Sequence, residues 1–117
     1  MVAEFRNPEA IVSCEWLADH LDTPGLRIFD CTTYLEFQTG GDRPYLVKGA
    51  GEEHAAGHIP GAAYLDLQGD FSLQDSPWGM TLETPENVAD AFARAGVDQS
   101  SRVILYSRTS PAWATRF

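Results

Sequence analysis

Basic residues are scarce in this sequence of 117 residues: eight Lys and Arg stand against seventeen Asp and Glu, a formal net charge of −9. Binding to nucleic acid or to an anionic membrane needs a basic face, so neither partner is expected. Long apolar runs are missing too. None approaches the roughly 20 residues of a membrane span, and Met1-Val-Ala-Glu-Phe-Arg6 lacks the apolar centre of a signal peptide. Cysteine is nearly absent: Cys14 and Cys31 make no disulfide framework and too few metal ligands. The expectation is a chain of the reducing cytoplasm, without metal or cofactor. No repeat and no low-complexity tract is visible.

What is present reads as one domain. An apolar fraction of 44% with 21% charged residues belongs to a globular chain able to bury a core. Val103-Ile-Leu-Tyr106 is an unbroken run of β-formers, which predicts a strand buried on both faces of a parallel sheet. Ser110 and Pro111 then read as N-cap and first residue of a helix. The loop between, Ser107-Arg108-Thr109, would sit at the strand's carboxyl end, where open α/β sheets place their chemistry.

Upstream, Ala10 to Val12 predicts a short edge strand, and Ser13 caps a helix on which Trp16, Leu17, His20 and Leu21 share a face. Leu26 to Phe29 predicts a buried strand ending at Asp30-Cys31. From Thr32 to Gly51 no regular element declares itself, and such a loop is usually functional or an insertion packed on itself. Glu52 to Ala56 allows one helical turn, broken by Gly57. His58-Ile-Pro-Gly-Ala62 reads as a turn feeding an alternating strand, Ala63 to Leu67. A polar loop leads to Thr84-Pro85-Glu86, which opens a helix with the stripe Val88, Ala91, Phe92, Ala95 and ends it at Gly96. The pattern predicts an α/β domain over residues 10–117, a mostly parallel central sheet flanked by helices, after an extension over 1–9. Because the last helix starts at Pro111 and the sequence stops at Phe117, the domain is expected to be C-terminally incomplete, with one sheet face uncovered.

Few residues are candidates for chemistry. His54 and His58, four apart, would face one metal on a helix, but Gly57 interrupts it and no third ligand is spaced for the site; His58 is expected to bond backbone at the Ile-Pro-Gly turn. Cys14 opens a helix, where a thiolate is stabilised, but reads as a small filler. Cys31 ends a strand beside Asp30 and near Glu36, and burial is the expectation. Ser107 has no elbow glycine and no His after it, which argues against a serine nucleophile. Arg108 is expected to be solvated, the alternative being an anion held by it and the amides of Ser107, Thr109 and Ser110.

Glu53-His-Ala-Ala-Gly-His-Ile-Pro-Gly-Ala62 resembles a rhodanese-like pattern, Glu-aromatic-x-x-Gly-His-Ile-Pro-Gly-Ala, with His54 where an aromatic is usual. Val12 to Leu17, Ile28 to Cys31, Leu65 to Asp70 with Asp75-Ser-Pro77, and Val103 to Tyr106 with Trp113 to Arg116 match further blocks in order. The resemblance implies a rhodanese-like fold in which Asp30, Glu53, Gly57, His58, Pro60 and Gly61 form the structural motif. It also implies a persulfide chemistry, in which a Cys on the loop after the strand carries sulfane sulfur. Here Ser107 takes that Cys position, so no catalytic residue is assigned, and Trp113 takes the place of the Arg in the related phosphatase loop. The family's two-domain thiosulfate and 3-mercaptopyruvate sulfurtransferases carry the Cys in their C-terminal domain. This chain resembles the N-terminal, non-catalytic one, and its implied partner is that catalytic domain, in the same protein or a second chain. The alternatives are a stand-alone regulatory module holding a small anion or an acidic partner group on the Ser107–Ser110 loop, and an enzyme using Cys31.

Overall fold

The computed structural model describes residues 4–117. Pro8–Ala10 is a single 3-10 turn, and Ala10 to Val12 pairs with no strand, so the expected edge strand is absent. The Ala10 and Ile11 amides instead bond back to Asn7 and Pro8 carbonyls, a turn that the fixed φ of Pro8 favours. Helix α1, Cys14–His20, follows, with the Ser13 hydroxyl accepting from the Trp16 amide at 3.0 Å.

Strand β1, Leu26–Asp30, is the centre of the sheet. The segment expected to be irregular is a hairpin: β2, Thr33–Phe37, pairs antiparallel with β3, Tyr45–Gly49, from Thr33↔Gly49 to Phe37↔Tyr45. Leu35–Val47 and Phe37–Tyr45 are apolar and aromatic cross-strand pairs, and Gly40 and Gly41 turn the connection at positive φ. Helix α2, Gly51–Ala56, leads through the Pro60-Gly61 turn to β4, Ala63–Tyr64. The strand predicted to run on to Leu67 stops there. The Asp66 carboxylate accepts from the Gly69 amide at 2.9 Å and caps a short helix, α3, Leu67–Asp70. Helix α4 is Pro85–Arg94, capped by Thr84; β5 is Arg102–Tyr106; α5 is Pro111–Thr115.

Three parallel strands lie in the order β4-β1-β5, in register from Leu26↔Arg102 to Asp30↔Tyr106, with Asp30↔Tyr64 on the other side. Alternation then sorts the side chains. Phe29, Val103 and Leu105 pack with Val88, Ala91 and Phe92 of α4 and with Trp113, Ala114 and Phe117. Ile28, Ile104 and Tyr106 pack with Trp16, Leu17 and Leu21 of the α1 region. Both sheet faces are therefore covered, contrary to the expectation of one bare face, because α1 supplies the second layer. Phe29, 1% exposed, anchors the larger cluster, a burial worth about 1.5–3 kcal/mol. Strand β5 is half-buried where full burial was expected, since among the described residues β1 is its one sheet neighbour. No helix among the described residues is long and apolar enough to cross a membrane.

Candidate functional site

The register brings Asp30, Tyr64 and Tyr106 side by side at the carboxyl edge of the sheet. Asp30 is fully buried. Its Oδ1 accepts from the Thr32 amide at 3.0 Å and the Thr32 hydroxyl at 2.6 Å, and Oδ2 faces His54 Nδ1 at 3.4 Å and Arg108 Nε at 3.9 Å. Burial pulls its pKa upward, but the Thr32 hydroxyl and amide and the His54 imidazole outweigh it and hold the carboxyl below its ordinary value. The buried group is thus a carboxylate whose charge is met from three elements.

Thr32 relays this carboxylate to the loop after β5, because its hydroxyl oxygen also accepts from the Arg108 amide at 3.0 Å. The Arg108 guanidinium is not simply solvated. Its Nη2 donates to the carbonyl oxygens of Glu53, at 3.3 Å, and Gly57, both at the end of α2. A cation beside the carbonyls at a helix C-terminus is well placed. One residue therefore ties the loop, α2 and Asp30 together. The link joins positions far apart in sequence, and nothing local to Ser107-Arg-Thr announces it.

The Gly-His-Ile-Pro-Gly block forms the other wall. His58 Nδ1 bonds the His54 carbonyl at 2.6 Å, as expected of a residue at the turn, and the two imidazoles stack at 3.9 Å. The Ile59 amide donates to the Tyr106 hydroxyl at 3.2 Å. Tyr34 donates to the Glu53 carboxylate at 2.6 Å, and Tyr64 joins the Ala50 amide to the Thr32 carbonyl. Gly61 needs its positive φ of 82°, whereas Gly57 is extended and has open space where a Cβ would stand. Gly57, His58, Ile59, Tyr106 and Arg108 line an open hollow of about 400 Å³ beside the loop.

Ser107 stands where the loop begins, and its neighbours' amides are already engaged. Thr109 N–H donates to Ser107 Oγ, Ala112 N–H to Ser110 Oγ and Trp113 N–H to the Ser110 carbonyl. Pro111 has no amide hydrogen. The Ala112 and Trp113 donors are thus taken up by Ser110, while that of Thr109 is directed at the Ser107 side chain itself. Cys31 is wholly buried, and burial together with the Asp30 charge pushes its thiol up to about 12. A thiol of that kind is not a nucleophile at neutral pH. Cys14 is exposed at the start of α1 and touches none of these groups. Among the described residues no three His, Cys, Asp or Glu side chains gather as a metal site.

A parallel sheet whose central strand ends in a buried carboxylate, with a loop and short helix leaving the neighbouring strand beside it, defines an α/β domain with a polar cluster at the carboxyl edge of its sheet. The chain belongs to the rhodanese-like domain family, which it matches over residues 13–117. It is 33% identical over 95 residues to 3-mercaptopyruvate sulfurtransferase of Escherichia coli strain K12, covering 81% of this chain and 31% of that protein. The Homo sapiens 3-mercaptopyruvate sulfurtransferase is 33% identical over 101 residues, covering 83% of this chain and 31% of the relative. The crystal structure of SseA from Escherichia coli, described as showing the rhodanese fold of 3-mercaptopyruvate sulfotransferases, superposes with a TM-score of 0.61 at 32% identity. It is matched over 83% of this chain and 34% of SseA. The chain thus spans about a third of the length of these relatives.

Proposed function

We propose that this chain is the non-catalytic, N-terminal rhodanese module of a thiosulfate or 3-mercaptopyruvate sulfurtransferase, and that sulfur is carried by a Cys on a separate catalytic rhodanese domain, in the same protein or a second chain. The observation that carries the reading is Ser107 at the head of the loop after β5. An alkoxide cannot form there near pH 7 as a thiolate can, and a hydroxyl stores no sulfane sulfur. The chain's two thiols offer no substitute: Cys31 is buried under the Asp30 charge and Cys14 lies outside the loop. The match to about a third of each relative supports a module that works beside another domain. The hollow beside Arg108 and His58 is then the surface turned toward that domain. The Ala112 and Trp113 amides, already bonded to Ser110, favour this docking role over capture of a free anion by the Ser107–Ser110 loop.

The test is sulfur transfer by the purified chain. With thiosulfate or 3-mercaptopyruvate and cyanide, thiocyanate is expected to form no faster than with a cysteine-free control protein. Turnover that disappears in Cys31→Ser or Cys14→Ser would overturn the reading.

A further inference from the structure

Away from the Ser107 loop, the hairpin tip and the loop after α3 build a second surface. Phe37 is 76% and Trp78 69% exposed, unusual for large apolar side chains. Tyr45 joins them. Its ring meets Phe37 edge-on at 6.4 Å, and it lines with Arg43, Pro44, Pro77 and Trp78 a slot of about 150 Å³.

The slot is held in shape by its own loop. Ser76 Oγ accepts from the Trp78 amide at 3.1 Å and bonds the Thr81 hydroxyl at 2.7 Å, while Gln68 Oε1 accepts from the Met80 amide at 2.7 Å. Met80 has φ 60°, a non-glycine residue in the left-handed region. Such strain costs of order 1 kcal/mol and persists where the surroundings over-determine it. A Cβ on Gly79 would stand 2.9 Å from Val47 Cγ2, so the glycine is what lets the loop close on the hairpin.

Three side chains lining the slot carry donors. The Trp78 indole N–H, the Tyr45 hydroxyl and the Arg43 guanidinium have no acceptor or ion-pair partner among the described residues. We propose that this slot binds a proline-rich segment of a partner protein in polyproline II form, with an acidic residue beside the prolines. That conformation makes no internal hydrogen bonds, so its carbonyls are free acceptors, and proline brings no N–H needing a partner. Flat aromatic faces are what pyrrolidine rings pack on. Arg43 selects the carboxylate.

The experiment uses the isotope-labelled chain, which carries three indole N–H signals, from Trp16, Trp78 and Trp113. A synthetic peptide of Pro-Pro-Asp repeats is expected to shift the Trp78 indole saturably and leave the other two in place. Pro-Pro-Lys repeats should bind about tenfold more weakly, and Arg43→Glu should reverse that order. Trp78→Ala should abolish binding with the remaining amide spectrum unchanged; should that variant disturb the loop, Arg43→Glu carries the test alone. An unmoved Trp78 indole at millimolar peptide, or equal shifts with Ala-Ala-Asp repeats, would overturn the proposal.

Discussion

A thiol placed at residue 107 would meet conflicting surroundings. It would stand beside the N-terminus of α5 and next to Arg108, both of which favour a thiolate. Yet the Arg108 guanidinium is held by the Glu53 and Gly57 carbonyls, and its amide by Thr32. A persulfide also needs several loop amides converging on it, and the bonds to Ser110 keep two of them turned away. Ser107→Cys is therefore expected to alkylate faster than Cys31, with sulfur transfer staying near background. Iodoacetamide kinetics read the first part and intact mass after thiosulfate the second. Stoichiometric persulfide within minutes would show that the cradle forms around the thiol and that the hydroxyl alone silences the loop.

Among the elements, β1, α2 and the loop after β5 meet around Asp30, with Arg108 and Thr32 completing the links. Replacing its carboxylate by an amide in Asp30→Asn puts a donor against His54 and Arg108 and removes the charge both face. The expected cost at neutral pH is about 2–4 kcal/mol, read from urea midpoints. The sign with pH follows from the depressed pKa. The carboxylate's contribution is fully present above the unfolded value of about 3.9 and is lost as pH falls through the lower folded value. The gap between wild type and variant should therefore narrow in acid. An equal gap near pH 7 and near pH 3 would mean that packing, and not charge, is what the substitution disturbs.

The same elements show what the sequence could reveal. Ser13, Thr84 and Ser110 sit at N-caps as their side-chain chemistry predicts, and the α4 stripe packs as its spacing implies. The hairpin was hidden because its arms are separated by a long glycine-bearing connection and not by a two-residue turn signal. The short β4 was over-read because Asp66 caps a helix in the middle of an alternating pattern. At the site, the Gly-His-Ile-Pro-Gly block and Asp30 were legible, while the Arg108 clamp depends on carbonyls that no side-chain pattern encodes.

On the scale of the whole molecule, the radius of gyration is 15.8 Å, against roughly 13 Å for a compact domain of this length. Part of the apolar surface lies along the outer edge of β5. Val103 and Leu105 line two apolar grooves there, of about 390 Å³ and 320 Å³, the first also bordered by the exposed Ile11. The charge on β5, Arg102, lies over the Trp16 ring at the strand's start, and Val103 to Tyr106 carries no Lys, Pro or other charge of the kind that guards an open edge. An unguarded apolar edge pairs with another copy, and antiparallel pairing of β5 with β5 would be symmetric. The net charge of −9 opposes this at long range. Salt shortens the screening length from about 10 Å at 0.1 M to about 3 Å at 1 M, while burial of apolar surface is not weakened by it. The chain by itself is therefore expected to self-associate with rising concentration and more strongly with rising salt. Sedimentation velocity across both variables checks it: a monomer throughout would refute the edge contact, and association that weakens with salt would assign it to ion pairs instead.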